Sequence, residues 1–168
     1  KRLVESGAIS GSKADAWKKA MAEEAKVAAI REKAEGGDAH AMKWLGLAYG
    51  IGVHGLKPDL AQSFTWMKRA ADLRNVYALT ACGVAYLSGE GVARSISRGL
   101  PMIGLAASLG SEHACGMLGQ ANEVGCWGVD KNPQEATRWY RAMQKSACRD
   151  SICETREMAA AWLRRVKS

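Results

Sequence analysis

The chain has no run of 18 or more apolar residues among its 168, so nothing in it reads as a membrane-spanning helix, and no membrane insertion is expected. The opening residues Lys1, Arg2, Leu3, Val4, Glu5 and Ser6 lack the apolar stretch and cleavage site of a signal peptide. Because the chain opens on Lys rather than Met, this leaves the compartment of the parent protein open. Charge of one sign is not concentrated anywhere. The net charge of +7 divides as +2 over residues 1–35, +3 over 36–147 and +2 over 148–168. That is a mixed, solvated surface rather than the basic stripe of a nucleic-acid binder, a reading weighed here and set aside.

Histidine is scarce. A metal or catalytic role would require His40, His54 and His113 to converge with carboxylates or thiols, and the sequence offers little such convergence. No cofactor, metal or catalytic residue is therefore expected. Hydrolysis of a small substrate stays a third reading without a Ser-His-Asp, lysine-activated serine or metal constellation to carry it. Cysteines number five, an odd count without a CxxC pair, so at least one thiol is free or pairs outside the chain. The loops Gly50-Ile51-Gly52 and Ser88-Gly89-Glu90-Gly91 follow no strand and lead to no helix-opening lysine, so they read as turns and not as phosphate loops.

What the chain does contain is a repeat of about 36 residues. Superposing the segments that begin at Asp38, Asn75 and Ser111 aligns Ala41, Ala78 and Ala114, then Gly46, Gly83 and Gly119, then Ala48, Ala85 and Ala121. Farther on, Gly52, Gly89 and Gly125 coincide, as do Gly55, Gly91 and Gly128, and then Trp66, Met102 and Trp139. Each unit reads as two helices around a glycine turn. Asp38, Asn75 and Ser111 can cap the first helix; Asp59 with Gln62, and Asn132-Pro133 with Glu135, can start the second. Gly37 and Gly110 stand where helix ends favour positive φ.

These observations predict an all-α fold, a right-handed α/α superhelix or solenoid of stacked helical hairpins in one repeat domain, residues 1–168. It divides into an N-terminal helix over 12–35, with Ser12 as cap and Trp17 and Met21 at helical spacing, and repeats at 38–74, 75–110 and 111–147. A C-terminal capping helix over 151–166 buries Met158 and Trp162. A glycine inside a helix is unfavourable by roughly 0.5–1 kcal/mol against alanine. Gly46, Gly83 and Gly119 therefore need a packing reason, expected to be a neighbouring backbone. Gly99 and Pro101 inside the second helix of repeat two predict a kink or a delayed start.

The string Ala34-Glu35-Gly36-Gly37-Asp38-Ala39-His40-Ala41, with Leu45-Gly46, Tyr49, Tyr86, Gly89, Gly91 and Val92, resembles the Sel1-like repeat family, relatives of tetratricopeptide solenoids. The resemblance covers residues 34–147 and, less fully, 12–33. It implies an adaptor that holds another protein and no enzyme. Asn122 departs from the pattern, standing where Tyr49 and Tyr86 stand in the other units. Some secreted relatives join the two helices of each unit by a disulfide. Cys115 fits the first place of that bridge, but Ala71, Ala107 and Gln144 hold the second. With no such ladder and an odd cysteine count, the reading leans intracellular, with a secreted or periplasmic location still open.

For an adaptor, the stripe of each first helix that does not pack is the candidate partner face. It holds His40, Lys43 and Leu47; then Tyr77, Thr80 and Val84; then His113, Gly116, Gln120 and Glu123. Mixed aromatic, aliphatic and polar groups of this kind suit an extended peptide or a helix on the concave surface. Trp127, in its loop, is a second candidate anchor. Cys82 and Cys115 align with Leu45 and Met42 and read as core residues, Cys126 as the exposed thiol, and Cys148 and Cys153 as a pair able to bridge the last turn.

Overall fold

The computed structural model describes residues 11–145 and 153–165, with side chains in the first helix from Asp15 onward. Eight helices and no strand occur among the described residues: α1 Gly11–Glu35, α2 Ala39–Ile51, α3 Leu60–Asp72, α4 Val76–Ser88, α5 Ile96–Ser108, α6 Glu112–Val124, α7 Pro133–Lys145 and α8 Cys153–Arg165. The pairs α2/α3, α4/α5 and α6/α7 form hairpins, and each helix also packs on the one that precedes or follows its hairpin. The result is an α/α solenoid.

The local chemistry explains the boundaries. Asp38, Asn75 and Ser111, all extended, accept backbone N–H bonds at the starts of α2, α4 and α6. Asp59 accepts from the Gln62 N–H, and Asn132 from those of Gln134 and Glu135. The first helices all stop on a left-handed glycine, Gly52, Gly89 or Gly125, whose N–H donates to the carbonyl four residues back.

The repeated helix glycines do sit at close contacts, but the neighbour is a side chain of the same hairpin. A Cβ on Gly46 would lie 2.7 Å from Cγ of Met67, and one on Gly119 would overlap the Tyr140 ring. Of the three, Gly83 alone has backbone among its three nearest atoms: a Cβ there would lie 2.6 Å from Cδ1 of Ile103 and 3.2 Å from the Gly99 carbonyl oxygen. The expected backbone approach thus holds in one unit of three. Met67, Ile103 and Tyr140 are all buried, so each glycine leaves room for the largest core residue of its partner helix.

Pro101 does not delay the start of α5, which is continuous from Ile96 to Ser108 with Ser95 before it. Pro101 is exposed, so the carbonyl of Ser97, which loses its intrahelical donor, is left on the solvent side of the helix.

Helix α1 has 25 residues against 13 for α2, or about 38 Å against about 20 Å at 1.5 Å per residue. Its second half packs through Val27, Ile30 and Ala34, and Arg31 donates to the Tyr49 hydroxyl at 2.8 Å. Its first half overhangs, with Trp17 and Met21 42% and 47% exposed. Glu23 and Nδ1 of His54, 2.5 Å apart, tie the overhang to the loop after α2, where His54 lies against the Trp44 ring. That hydrogen bond holds the Glu23 carboxyl below the usual carboxylate range. At the other end Ala159 and Leu163 of α8 are buried, while Trp162 is half-buried and donates to Oγ1 of Thr137 at 3.2 Å. The expected Ser12 cap, the burial of Met158 and the Cys148–Cys153 bridge lie outside the described side chains.

Candidate binding groove

Between the first two hairpins the helices do not close completely. Ser63 of α3 donates to the Gly46 carbonyl oxygen at 2.7 Å, which draws α2 and α3 together, while α4 stands off from α2. The gap is a groove of about 790 Å³. Its walls are Leu47 and Ile51 of α2, Leu60 and Phe64 of α3, and Tyr77 and Val84 of α4. Met67 and Cys82 form the floor, and the lining is largely apolar. Three of its side chains protrude: Ile51 is 68% exposed, Tyr77 52% and Leu60 50%. These three apolar side chains leave the groove's rim open to water.

The polar groups of the groove are few, and several are already engaged. The Thr80 hydroxyl donates to the Val76 carbonyl at 3.0 Å and lies 3.1 Å from Oγ of Ser111. Glu90 marks the end beside Leu60; Glu112 and His113 mark the other, at the start of α6. Cys82 is fully buried, and burial pushes its thiol up to about 12, so it stays protonated and inert at neutral pH. Burial likewise raises the Cys115 thiol. No group of three His, Cys, Asp or Glu side chains able to hold a metal ion occurs among the described residues. None of the described helices is long and apolar enough to cross a membrane.

Of the sequence-derived stripe, Leu47, Tyr77, Thr80, Val84 and His113 come together in the groove. Lys43 lies at its edge, with Nζ 5.7 Å from the centre of the Tyr77 ring. His40 and Gln120 are exposed but outside it. Gly116 is buried and presents no surface. Glu123 is turned inward: it accepts from the Tyr140 hydroxyl at 2.7 Å and lies 3.7 Å from Arg165. Burial and that bond hold the Tyr140 phenol well above its usual range. The stripe is therefore not one continuous face, because the third hairpin uses its positions to join α7 and α8. Trp127 is half-buried against the core with φ 54°, and Cys126 beside it is half-buried too, less open than expected for a loop anchor and an exposed thiol.

Leu60, Ser63, Phe64 and Met67 of the second helix escaped the sequence reading, which looked for the face on first helices alone. A signal for two wall residues did exist. Ile51 and Leu60 are large apolar residues on either side of a glycine turn, at places where the third unit has Val124 and Pro133.

Comparison with known proteins follows the same geometry. The Sel1 repeat family matches residues 39–75, 76–111 and 113–143. A Sel1 repeat protein from Oxalobacter formigenes is similar to this chain in its crystal structure, with 28% sequence identity and a TM-score of 0.66 over 76% of this chain and 48% of that one. A protective antigen of uropathogenic Escherichia coli strains, described as displaying an SLR fold, shares 29% identity at a TM-score of 0.66 over 71% of this chain and 25% of that one. The chain thus spans about half the length of the first and a quarter of the second. No curated protein matches.

Proposed function

Because the chain belongs to the Sel1 repeat family, whose members generally mediate protein–protein interaction and whose repeat is a non-catalytic scaffold, we propose that it is a non-catalytic adaptor that holds a protein or peptide in the groove between its first two hairpins. The observation that carries this reading is the cluster of protruding apolar side chains, Ile51, Leu60 and Tyr77, around a largely apolar groove of about 790 Å³. An occupant gains by burying them at about 25 cal/mol per Å² of apolar area. Cys82, the one thiol among the described groove residues, is inert, which supports a binding role over a chemical one. Nucleic acid is a poor fit, since no lysine or arginine lines the groove and phosphate contacts depend on them.

The test is selection of binding peptides from a displayed library against the folded chain, followed by titration of the best one. Leu47→Asp and Tyr77→Ala, each checked for native helicity, are expected to weaken it by about tenfold or more, the loss of one interface anchor. Undiminished affinity in both folded variants would remove the groove as the binding face.

A further inference from the structure

At its Glu90 end the groove has a charge opposite to that of the chain around it, whereas Lys43 stands at the edge beside Tyr77. The chain carries +7, yet none of the twenty groove residues is Lys or Arg, while Glu90 and Glu112 bring a carboxylate to each end. Glu112 is buried and bound within the fold, so Glu90 is the carboxylate that an occupant meets. It is exposed, and its position is fixed. Gly89 and Gly91 on either side take φ of 86° and 70°, and the Glu90 N–H donates to the Ala85 carbonyl at 3.2 Å. Gly91 is pressed on the Leu60 carbonyl, which seats the loop on the groove's rim. At the same end α2 finishes with no basic residue in its last turn, so the helix itself supplies no cation to its partly negative end. Arg94, the basic side chain that touches the end of α4, is spent on the Leu87 carbonyl at 3.0 Å and does not line the groove.

We infer that the groove takes a protein segment bearing bulky apolar side chains and, at the Glu90 end, a lysine or arginine. This rests on the adaptor reading and specifies its partner. The three protruding rim residues favour a polypeptide over a small ligand, which would fill the cavity and leave the rim wet. A basic partner is also the one that Glu90 attracts over distance and an acidic one the one it repels, so the carboxylate acts mainly on choice of partner.

The probes are labelled synthetic amphipathic peptides that share one Leu/Trp apolar face and end in Lys, Gln or Glu. They are titrated against the chain and against its Glu90→Lys and Val84→Arg variants, with helicity checked in each. The Lys peptide should bind roughly threefold to fivefold tighter than the Gln peptide, and the Glu peptide weakest, a span set by one exposed charge pair. Glu90→Lys should invert the order, and Val84→Arg should weaken all three alike. Equal affinity of the three peptides for both the native chain and Glu90→Lys, with Val84→Arg still impaired, overturns the charge preference and leaves the groove standing. Binding unaffected by Val84→Arg, or no binding by any peptide, overturns both. A dimer in light scattering that Glu90→Lys dissolves makes a second copy the occupant and overturns the foreign segment.

Discussion

Gly83→Leu is expected to lower the melting temperature by roughly 6–12 °C, the effect of about 3 kcal/mol of overpacking in a chain of this size. A Cβ at Gly83 would lie 2.6 Å from Cδ1 and 2.8 Å from Cγ1 of Ile103, with the Gly99 carbonyl oxygen at 3.2 Å. The reciprocal position is as tight, since a Cβ on Gly99 would lie 2.8 Å from the Gly83 carbonyl oxygen. Ile103 is fully buried and has nowhere to go, and a backbone cannot rotate away as a side chain can. The loss falls on the middle hairpin, through which the outer two communicate, because units of a solenoid touch only their neighbours. Gly104, five residues farther along α5 than Gly99, supplies the contrast. Nothing lies within 4 Å of its added Cβ, so Gly104→Ala should stabilise the chain by about 0.5–1 kcal/mol through helix propensity. Circular dichroism melts of the two variants settle both signs, and an unchanged melting temperature for Gly83→Leu would show that the close packing is not what the glycine is for.

Gly91→Val is expected to destabilise by about 2–3 kcal/mol and to weaken peptide binding as well. The residue has φ of 70°, a conformation that a β-branched residue reaches only under strain. Its added Cβ would also fall inside the Leu60 carbonyl. Relief requires the loop to lift from the start of α3, which moves Glu90 and Leu60 apart and opens the rim of the groove. Gly55 and Gly128 occupy the same place in the other units with φ of 80° and 72°, but nothing approaches either. Gly55→Ala should therefore show the conformational strain alone, about 1 kcal/mol. Denaturant unfolding read beside peptide titration separates the two effects: a Gly91→Val chain as stable as Gly55→Ala, with binding intact, would mean that the loop is not anchored through Leu60.

The architecture was legible because its requirements recur. Ala41, Ala78 and Ala114 are small for the same reason three times over, and each cap at Asp38, Asn75 and Ser111 answers the same orphan N–H groups. Recurrence shows that a position must be small and leaves open what presses on it, which is why the neighbours of Gly46 and Gly119 were expected to be backbone and are Met67 and Tyr140. The turn after α3 was illegible for a related reason: Arg74 takes φ of 61° there, with no glycine to mark it. The helical spacing of Trp17 and Met21 marked α1 as a helix but did not show that this part of it is exposed. The groove was half legible. Tyr77, Val84 and Leu47 follow from the free stripe of the first helices, whereas Leu60, Phe64 and Glu90 belong to places where the units diverge. A repeat pattern is silent there, because it records only what the units share.

Methyl-labelled NMR spectra of the chain, recorded with and without a bound peptide, locate the occupied surface directly. The methyl groups of Leu47, Ile51, Leu60 and Val84 should shift or broaden on binding, while those of Val129 and Leu163, in the third loop and the last helix, stay in place. Perturbation centred on Val129 and Leu163, with the four groove residues unmoved, would contradict the placement of the partner between the first two hairpins.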